Sequence, residues 1–287
     1  MGLTRSSSGL LLYDDFSSDS ESDYTRDGTD VWSVDSGYMV HAGGAYSGLR
    51  RTFNTAKCAT VRMKQTSTFS GYPIPATVGG SGAEGPTYYQ ANGYYAQAYG
   101  DQRAVQLRKR VDGSSSGIDD GWTSDRSLGT EYLWRLFIDS GTIRLHHGAT
   151  TLAAFLSGTD NAFTQGQFSI WGHYYGGASW NWVDVRTSHE ITCTGMSTGH
   201  YLRVSDGTTA AEAQESSGTA TVDAGLVLFP LSSVQIRTAS GGGGSLVAEL
   251  GTGDYADMGG GDVYAAGGIP HFADLCGGLN NDLTGGI

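Results

Sequence analysis

Proline is scarce and cysteine scarcer still: five prolines and three cysteines stand in 287 residues. Cys58, Cys193 and Cys276 lie far apart with no CxxC spacing, which excludes a zinc knuckle and a dense disulfide framework. One bridge stays open, while the odd count fits unpaired structural thiols in a protein made in a reducing compartment. Basic residues are also few. Lys and Arg number 17 against 29 Asp and Glu, for a formal charge of -12 and a pI near 4.8. Phosphate binding needs the opposite, a cationic footprint, so nucleic acid is not an expected partner. Long apolar runs are missing as well. No stretch reaches the length that spans a bilayer, so no membrane partner is expected. The apolar run at residues 10–13 is too short for the core of a secretory signal, and the expectation is a chain without one.

Glycine is what abounds, 45 residues, roughly twice the usual share. With Ser and Thr it supplies turns for many short strands and argues against long helices. An aromatic fraction of 11% excludes reading the glycine as disorder, because a disordered chain lacks the apolar surface carried here. The length accommodates one large β-sandwich and a smaller companion.

Period-two alternation between turn signals marks strands at residues 32–40, 49–53, 58–66, 94–98, 104–111, 132–139, 142–147, 152–155, 167–171 and 179–186. The clearest hairpin is WRLFIDSGTIRLHHG, where Ser140 and Gly141 turn the chain between two alternating runs. Residues 67–86, rich in Gly, Pro and Ser, read as an exposed loop, and Asp119 with Asp120 as part of a glycine-flanked loop. From Glu190 the strands become shorter and less aromatic: ITCTG, HYLRVSDG, AAEAQES, TATVDA, VQIRT and SLVAEL. The glycines at 241–244 read as a hairpin loop, since a strand pattern resumes directly after them. The most informative stretch is AFTQGQFSIWGHYYGGASWNWVDVRT, residues 162–187. It reads as two strands joined by a glycine-aromatic loop, with Trp180, Trp182 and Asp184 on one face of the second strand and Asn181, Val183 and Val185 on the other.

YDDFSSDSESDY, then VWSVDSGYMV, GYYAQAY, YLWRLFIDSGTIRLHHG and AFTQGQFSIWGHYYGGASWNWVDVR resemble, in order over residues 13–186, concanavalin A-like lectin/glucanase sandwiches of the laminin-G-like kind. ITCTGMSTGHYLRVSDG through GTATVDA to LVAELGTGDYADMGGGDVY resembles small immunoglobulin-like β-sandwich modules, often appended to phage and viral structural proteins. The implied fold is all-β, a concanavalin A-like jelly-roll sandwich followed by a smaller Ig-like β-sandwich and an extended C-terminal tail. The corresponding segments are an N-terminal arm at 1–12, the large sandwich at 13–188, the small domain at 189–264 and the Gly-rich tail at 265–287.

Catalytic members of that superfamily carry two or three carboxylates at alternate positions of one strand, of the type ExDxxE. This chain has no such segment, and its glutamates are scattered. The expectation is therefore a protein that is not an enzyme. The resemblance also implies that Asp14, Asp15 and Asp184 lie where some relatives hold a structural calcium. Carboxylates that hydrogen-bond their own turns are the competing reading, and no other cofactor is expected. His146, His147 and His173, with His41 as a fourth, invite a metal reading, but adjacent histidines on a strand face opposite ways. G-x-S-x-G, P-loop and HExxH motifs are absent.

Aromatic rings are what sugars and protein partners stack upon. Tyr88, Tyr89, His173, Tyr174 and Tyr175 are the candidate binding residues, with the loop at 173–177 the candidate exposed patch and Trp180 and Trp182 assigned to packing. The functional expectation is a structural or adhesive component of a virion, such as a capsid decoration or tail fibre protein, whose partners are copies of itself or other virion subunits. The alternative is an extracellular glycan-binding module whose partners are surface glycans.

Overall fold

The computed structural model describes residues 2–7, 10–18, 20–29, 31–44, 46–66, 72–80, 92–99, 104–122, 126–139, 141–148, 153–175, 177–188, 190–205, 207, 209–223, 233–250 and 262–265. Among these residues there is no α-helix, only a 3-10 turn at Glu21–Asp23, and so no helix long and apolar enough to cross a membrane. The strands are β1 (Gly2–Ser7), β2 (Leu10–Asp14), β3 (Thr25–Gly28), β4 (Trp32–Asp35), β5 (Tyr38–His41), β6 (Ser47–Ala56), β7 (Cys58–Gln65) and β8 (Ile74–Val78). They continue with β9 (Gly93–Tyr99), β10 (Ala104–Val111), β11 (Ser114–Trp122), β12 (Tyr132–Asp139), β13 (Thr142–Gly148), β14 (Ala153–Thr159), β15 (Gly166–Gly172) and β16 (Ala178–Arg186). The last are β17 (Glu190–Thr194), β18 (Tyr201–Ser205), β19 (Ala210–Gln214), β20 (Thr219–Asp223), β21 (Ser233–Arg237), β22 (Leu246–Glu249) and β23 (Asp262–Ala265).

The chain divides into two compact units, Leu10–Ser188, and Met1–Gly9 together with His189–Ile287. Residues 1–12, read from sequence as an arm, are shared between them: β1 pairs with β17 and β23 of the smaller unit, and β2 pairs with β16 of the larger.

The larger unit is two antiparallel sheets over one core. One sheet has the order β11-β10-β9-β8-β15-β6-β3; the other runs β14-β13-β12-β7-β16-β5-β4, with β2 attached to β16. Alternation sends Trp134, Leu136 and Ile138 of β12, Val105 and Leu107 of β10, and Phe168 and Ile170 of β15 into the shared core. Each large apolar side chain removed from water there contributes about 1.5–3 kcal/mol.

Three expectations are corrected. Residues 32–40 form a hairpin and not one strand, because Ser36 and Gly37 both take positive φ (53° and 77°) and turn β4 into β5. Residues 67–86 are not all exposed loop: Ile74–Val78 is a buried strand in the middle of the seven-stranded sheet. Its prolines hide it from pattern reading. Pro75 is accommodated where the pairing with β15 shifts register between Ser169 and Trp171, so its missing N–H breaks no regular ladder. Asp119 and Asp120 likewise lie in strand β11, a polar edge strand whose sequence SSSGIDDGW shows no apolar alternation.

The face assignment of β16 is also corrected. Its register against β7 shifts between Trp180 and Trp182, leaving Asn181 as the extra residue of a bulge. Trp180 consequently points into the core with Val183 and Val185, while Trp182 and Asp184 turn to the opposite face. Trp180 is fully buried and donates from Nε1 to the Pro75 carbonyl at 3.1 Å. Trp182 is only half-buried.

In the smaller unit two antiparallel sheets, β20-β17-β1-β23 and β19-β18-β21-β22, bury Ile191, Cys193, Leu202, Val204, Val222, Val234 and Ile236 at alternate positions. The turn at 241–244 joins β21 to β22, and Glu212 of β19 holds it: the Glu212 carboxylate accepts from the Gly241 and Gly242 N–H groups at 2.6 and 2.9 Å and from Arg203 at 2.6 Å. Cys58 is a buried free thiol, Cys193 is buried as well, and Cys276 lies outside the described residues, as does the tail beyond residue 265.

Candidate functional site

Strand β15 ends at Gly172, whose lack of a side chain is obligatory: a Cβ there would stand 2.1 Å from the His41 ring. This close approach sets His173 against β5. The loop that follows is tied down by its backbone, with Gly44 N–H donating to the Tyr174 carbonyl at 2.8 Å and Thr66 N–H to the Gly177 carbonyl at 3.0 Å.

His173 is 2% exposed and forms the centre of an aromatic cluster. The rings of Tyr46 and Tyr72 meet it edge-on, with centroids at 4.7 and 4.8 Å and interplanar angles of 87° and 83°. The Tyr175 ring lies 5.6 Å away, and its own N–H donates to His173 Nδ1 at 3.3 Å. That bond places the proton of the neutral ring on Nε2. Burial and the neighbouring His41 lower the His173 pKa to about 4, so the ring is neutral at physiological pH. Above it Tyr174 and Tyr175 are 50% and 62% exposed, with centroids 5.1 Å apart at 90°. Two wet rings on a rigid, uncharged base form a stacking platform. Tyr46 extends the base to Trp171, Tyr95 and Ile74 on the seven-stranded sheet.

The structure thus brings His173, Tyr174 and Tyr175 together, while Tyr88 and Tyr89 lie outside the described residues. Sequence reasoning missed Tyr46 and Tyr72. Both sit in glycine-flanked loop phrases, GGAYSG and SGYP, and only the fold carries these loops to His173.

The three aspartates are not brought to one point. Asp184 stands opposite Tyr13 and Asp14 opposite Val183 in the β2–β16 register, so the two carboxylates face opposite sides of the sheet. Asp14 is engaged by its own turn: it accepts from Phe16 N–H at 2.9 Å, Ser20 Oγ at 2.6 Å and Tyr24 Oη at 3.0 Å. Asp15 is exposed and accepts from Ser17 N–H. Asp184 is fully buried in a two-pronged pair with Arg186, at 2.8 and 2.9 Å. Burial lifts its pKa to about 7 against the opposing pull of Arg186 and Arg135. No group of three or more His, Cys, Asp or Glu side chains placed to hold a metal occurs among the described residues.

His146 and His147 point to opposite faces. His147 packs on Trp134 with centroids 3.9 Å apart and donates from Nδ1 to the Leu133 carbonyl at 3.2 Å. His146 stacks on Phe137 at 5.4 Å, and neither of its ring nitrogens has a hydrogen-bond partner among the described residues. Desolvation lowers both pKa values to about 3.

No protein-family model matches the chain, and no curated protein sequence matches it. Solved structures do resemble it. A Bacillus subtilis protein of unknown function with a galectin-like fold is 14% identical, with a TM-score of 0.52 over 64% of this chain and 98% of its own. The exoplasmic/lumenal domain of VIP36 in a Ca2+-bound form is 11% identical, with a TM-score of 0.50 over 63% of this chain and 93% of its own. A carbohydrate-binding module, CBM66 from Bacillus subtilis, is 15% identical with a TM-score of 0.42 over 55% of this chain and 91% of its own. With two antiparallel sheets layered over one core, the protein is all-β and its larger unit has the galectin-like, concanavalin A-like β-sandwich fold.

Proposed function

We propose that the larger unit is a glycan-binding module without catalytic activity, working on polysaccharide or glycoconjugate outside the cell. The observation that carries this reading is the pair of exposed tyrosines, Tyr174 and Tyr175, held over the buried neutral His173 by Tyr46, Tyr72 and two backbone hydrogen bonds. A sugar ring presents C–H groups on its faces and hydroxyls around its edge, so it stacks on an aromatic face and hydrogen-bonds to the phenol rim. A platform already rigid loses little side-chain entropy on binding. The virion reading rests on sequence features alone, and no described residue favours it over glycan binding.

The test is retention of the full chain on a panel of insoluble polysaccharides and a glycan array, beside the Y174A/Y175A double variant. Truncating two anchor rings is expected to cost about 2 kcal/mol, roughly a 30-fold loss of affinity. The urea midpoint should stay unchanged, because both side chains are largely in water already. Reducing sugar should not be released. Retention of the double variant equal to wild type, or no retention of wild type on any glycan, overturns the reading.

A further inference from the structure

We infer that a depression at the β10–β11 hairpin is a second subsite for a single uncharged sugar ring, an assignment that rests on the glycan-binding reading above. Strand β11 is the edge of the seven-stranded sheet. Its register against β10 shifts between Leu107 and Arg108: Asp119 stands opposite Leu107 and Gly117 opposite Arg108, which leaves Ile118 as the extra residue of a bulge. Bulges re-aim side chains at sheet edges. Here the result is an open depression of about 170 Å³ lined by Gln106, Arg108, Gly117, Ile118, Asp119 and Asp120. At ~30 Å³ per water that is room for about six water molecules, a volume a monosaccharide can enter by displacing them.

The lining has two kinds of surface. Ile118 offers an apolar patch. The polar groups divide into those already engaged and those left to bind. Asp119 is engaged, accepting from Asp120 N–H at 2.9 Å and Ser157 N–H at 3.0 Å. Arg108 spends Nη1 on Gln106 Oε1 at 2.8 Å and Nε on Ser115 Oγ at 3.1 Å, and that hydroxyl is in turn 2.6 Å from Tyr95 Oη. These bonds fix the direction of both side chains. They leave the Gln106 amide N–H₂, Arg108 Nη2 and the exposed Asp120 carboxylate, which stands directly opposite Gln106, without a partner among the described residues.

Donors and an acceptor converging beside an apolar patch match adjacent hydroxyls, which both donate and accept. Charge decides between ligand classes. The Arg108 guanidinium disfavours a metal cation, and the carboxylates of Asp119 and Asp120 disfavour a phosphate or carboxylate ligand. A neutral polyhydroxyl ring suffers neither repulsion.

Backbone amide shifts of the isotope-labelled full chain, titrated with millimolar glucose, galactose, mannose, xylose and N-acetylglucosamine, test the assignment, with sulfate and calcium as charged controls. The expected result is a saturable shift at Gln106, Gly117 and Asp120 for at least one neutral sugar, weakened about tenfold or more in D120N and in Q106A, with the Tyr174 and Tyr175 shifts retained. Sugar-induced shifts confined to Tyr174 and Tyr175 overturn the subsite and leave the platform standing. Shifts at the depression for calcium or sulfate alone overturn the ligand class. No shift anywhere, together with no retention on polysaccharides, overturns the glycan reading itself.

Discussion

Acidification should unfold this protein earlier than its carboxylates alone would, because His146 and His147 are buried in neutral form. Their folded pKa values of about 3 lie below the reference value of 6.5, so the folded state refuses protons that the unfolded chain accepts. The stability tied to each ring is therefore complete above pH 6.5 and is lost as pH falls toward 3. Asp184 works the other way. Its folded pKa near 7 lies above the reference 3.8, so between those values the folded state keeps a proton that the unfolded chain has released, and acidification adds stability. From pH 6.5 to pH 5 the two histidines lose about 1.5 pH units each and Asp184 returns about the same amount once. At about 1.4 kcal/mol per unit, roughly 2 kcal/mol is lost on balance. His173 adds to the loss in the same direction. Urea unfolding of the full chain, followed by tryptophan fluorescence at pH 7 and pH 5, measures this directly. H146L should remove one titrating group and reduce the pH dependence by one proton. Because the ring nitrogens of His146 have no partner among the described residues, H146L should also cost little at pH 7. Stability that stays flat or rises from pH 6.5 to pH 5 would refute this account of the buried histidines.

Three further outcomes follow from single contacts. G172A places a Cβ against the His41 ring and should cost about 1–3 kcal/mol by chemical denaturation, weakening glycan retention because the 173–177 loop is displaced with it. D184A leaves the buried Arg186 guanidinium without either of its acceptor oxygens and should cost about 3–5 kcal/mol, whereas replacing both partners by apolar residues of similar size, D184L/R186M, should cost less. E212Q weakens charge-assisted bonds to Gly241, Gly242 and Arg203, so hydrogen exchange at the two glycine amides should speed up while the larger unit's protection is unchanged.

Period-two alternation sufficed for the strands that carry the core. YLWRLFID, TIRLHHG and GQFSIWG stand where the pattern puts them, since successive side chains of a strand turn to opposite faces and short apolar-rich runs between turn signals read as strands. The order of aromatic and turn phrases likewise pointed to the sandwich class. Local pattern failed where tertiary packing overrode it. IPATV is short, proline-bearing and set among Gly and Ser, yet it is a buried strand because sheet neighbours flank it and the opposite sheet covers one face. The bulge at Asn181 arises from pairing with β7, a strand more than a hundred residues earlier in the chain, and no local signal announces it. It alone decides that Trp180 is core while Trp182 and Asp184 face away.

The candidate site divides in the same manner. His173, Tyr174 and Tyr175 are contiguous, and a glycine-aromatic loop between two strands marks them without any structure. His41 and Tyr46 bracket the short connection from β5 to β6 while Tyr72 lies just before β8, and only the antiparallel pairing of β15 with β6 and β8, and of β16 with β5, gathers them around one imidazole. Periodicity and composition are local properties that survive without knowledge of partners, so an acidic, glycine-rich, all-β chain with an aromatic loop was legible from the residues alone. Which side chains share a face, which charges are buried, and where exposed rings gain a base emerge only with the fold, because each depends on register between strands distant in the chain.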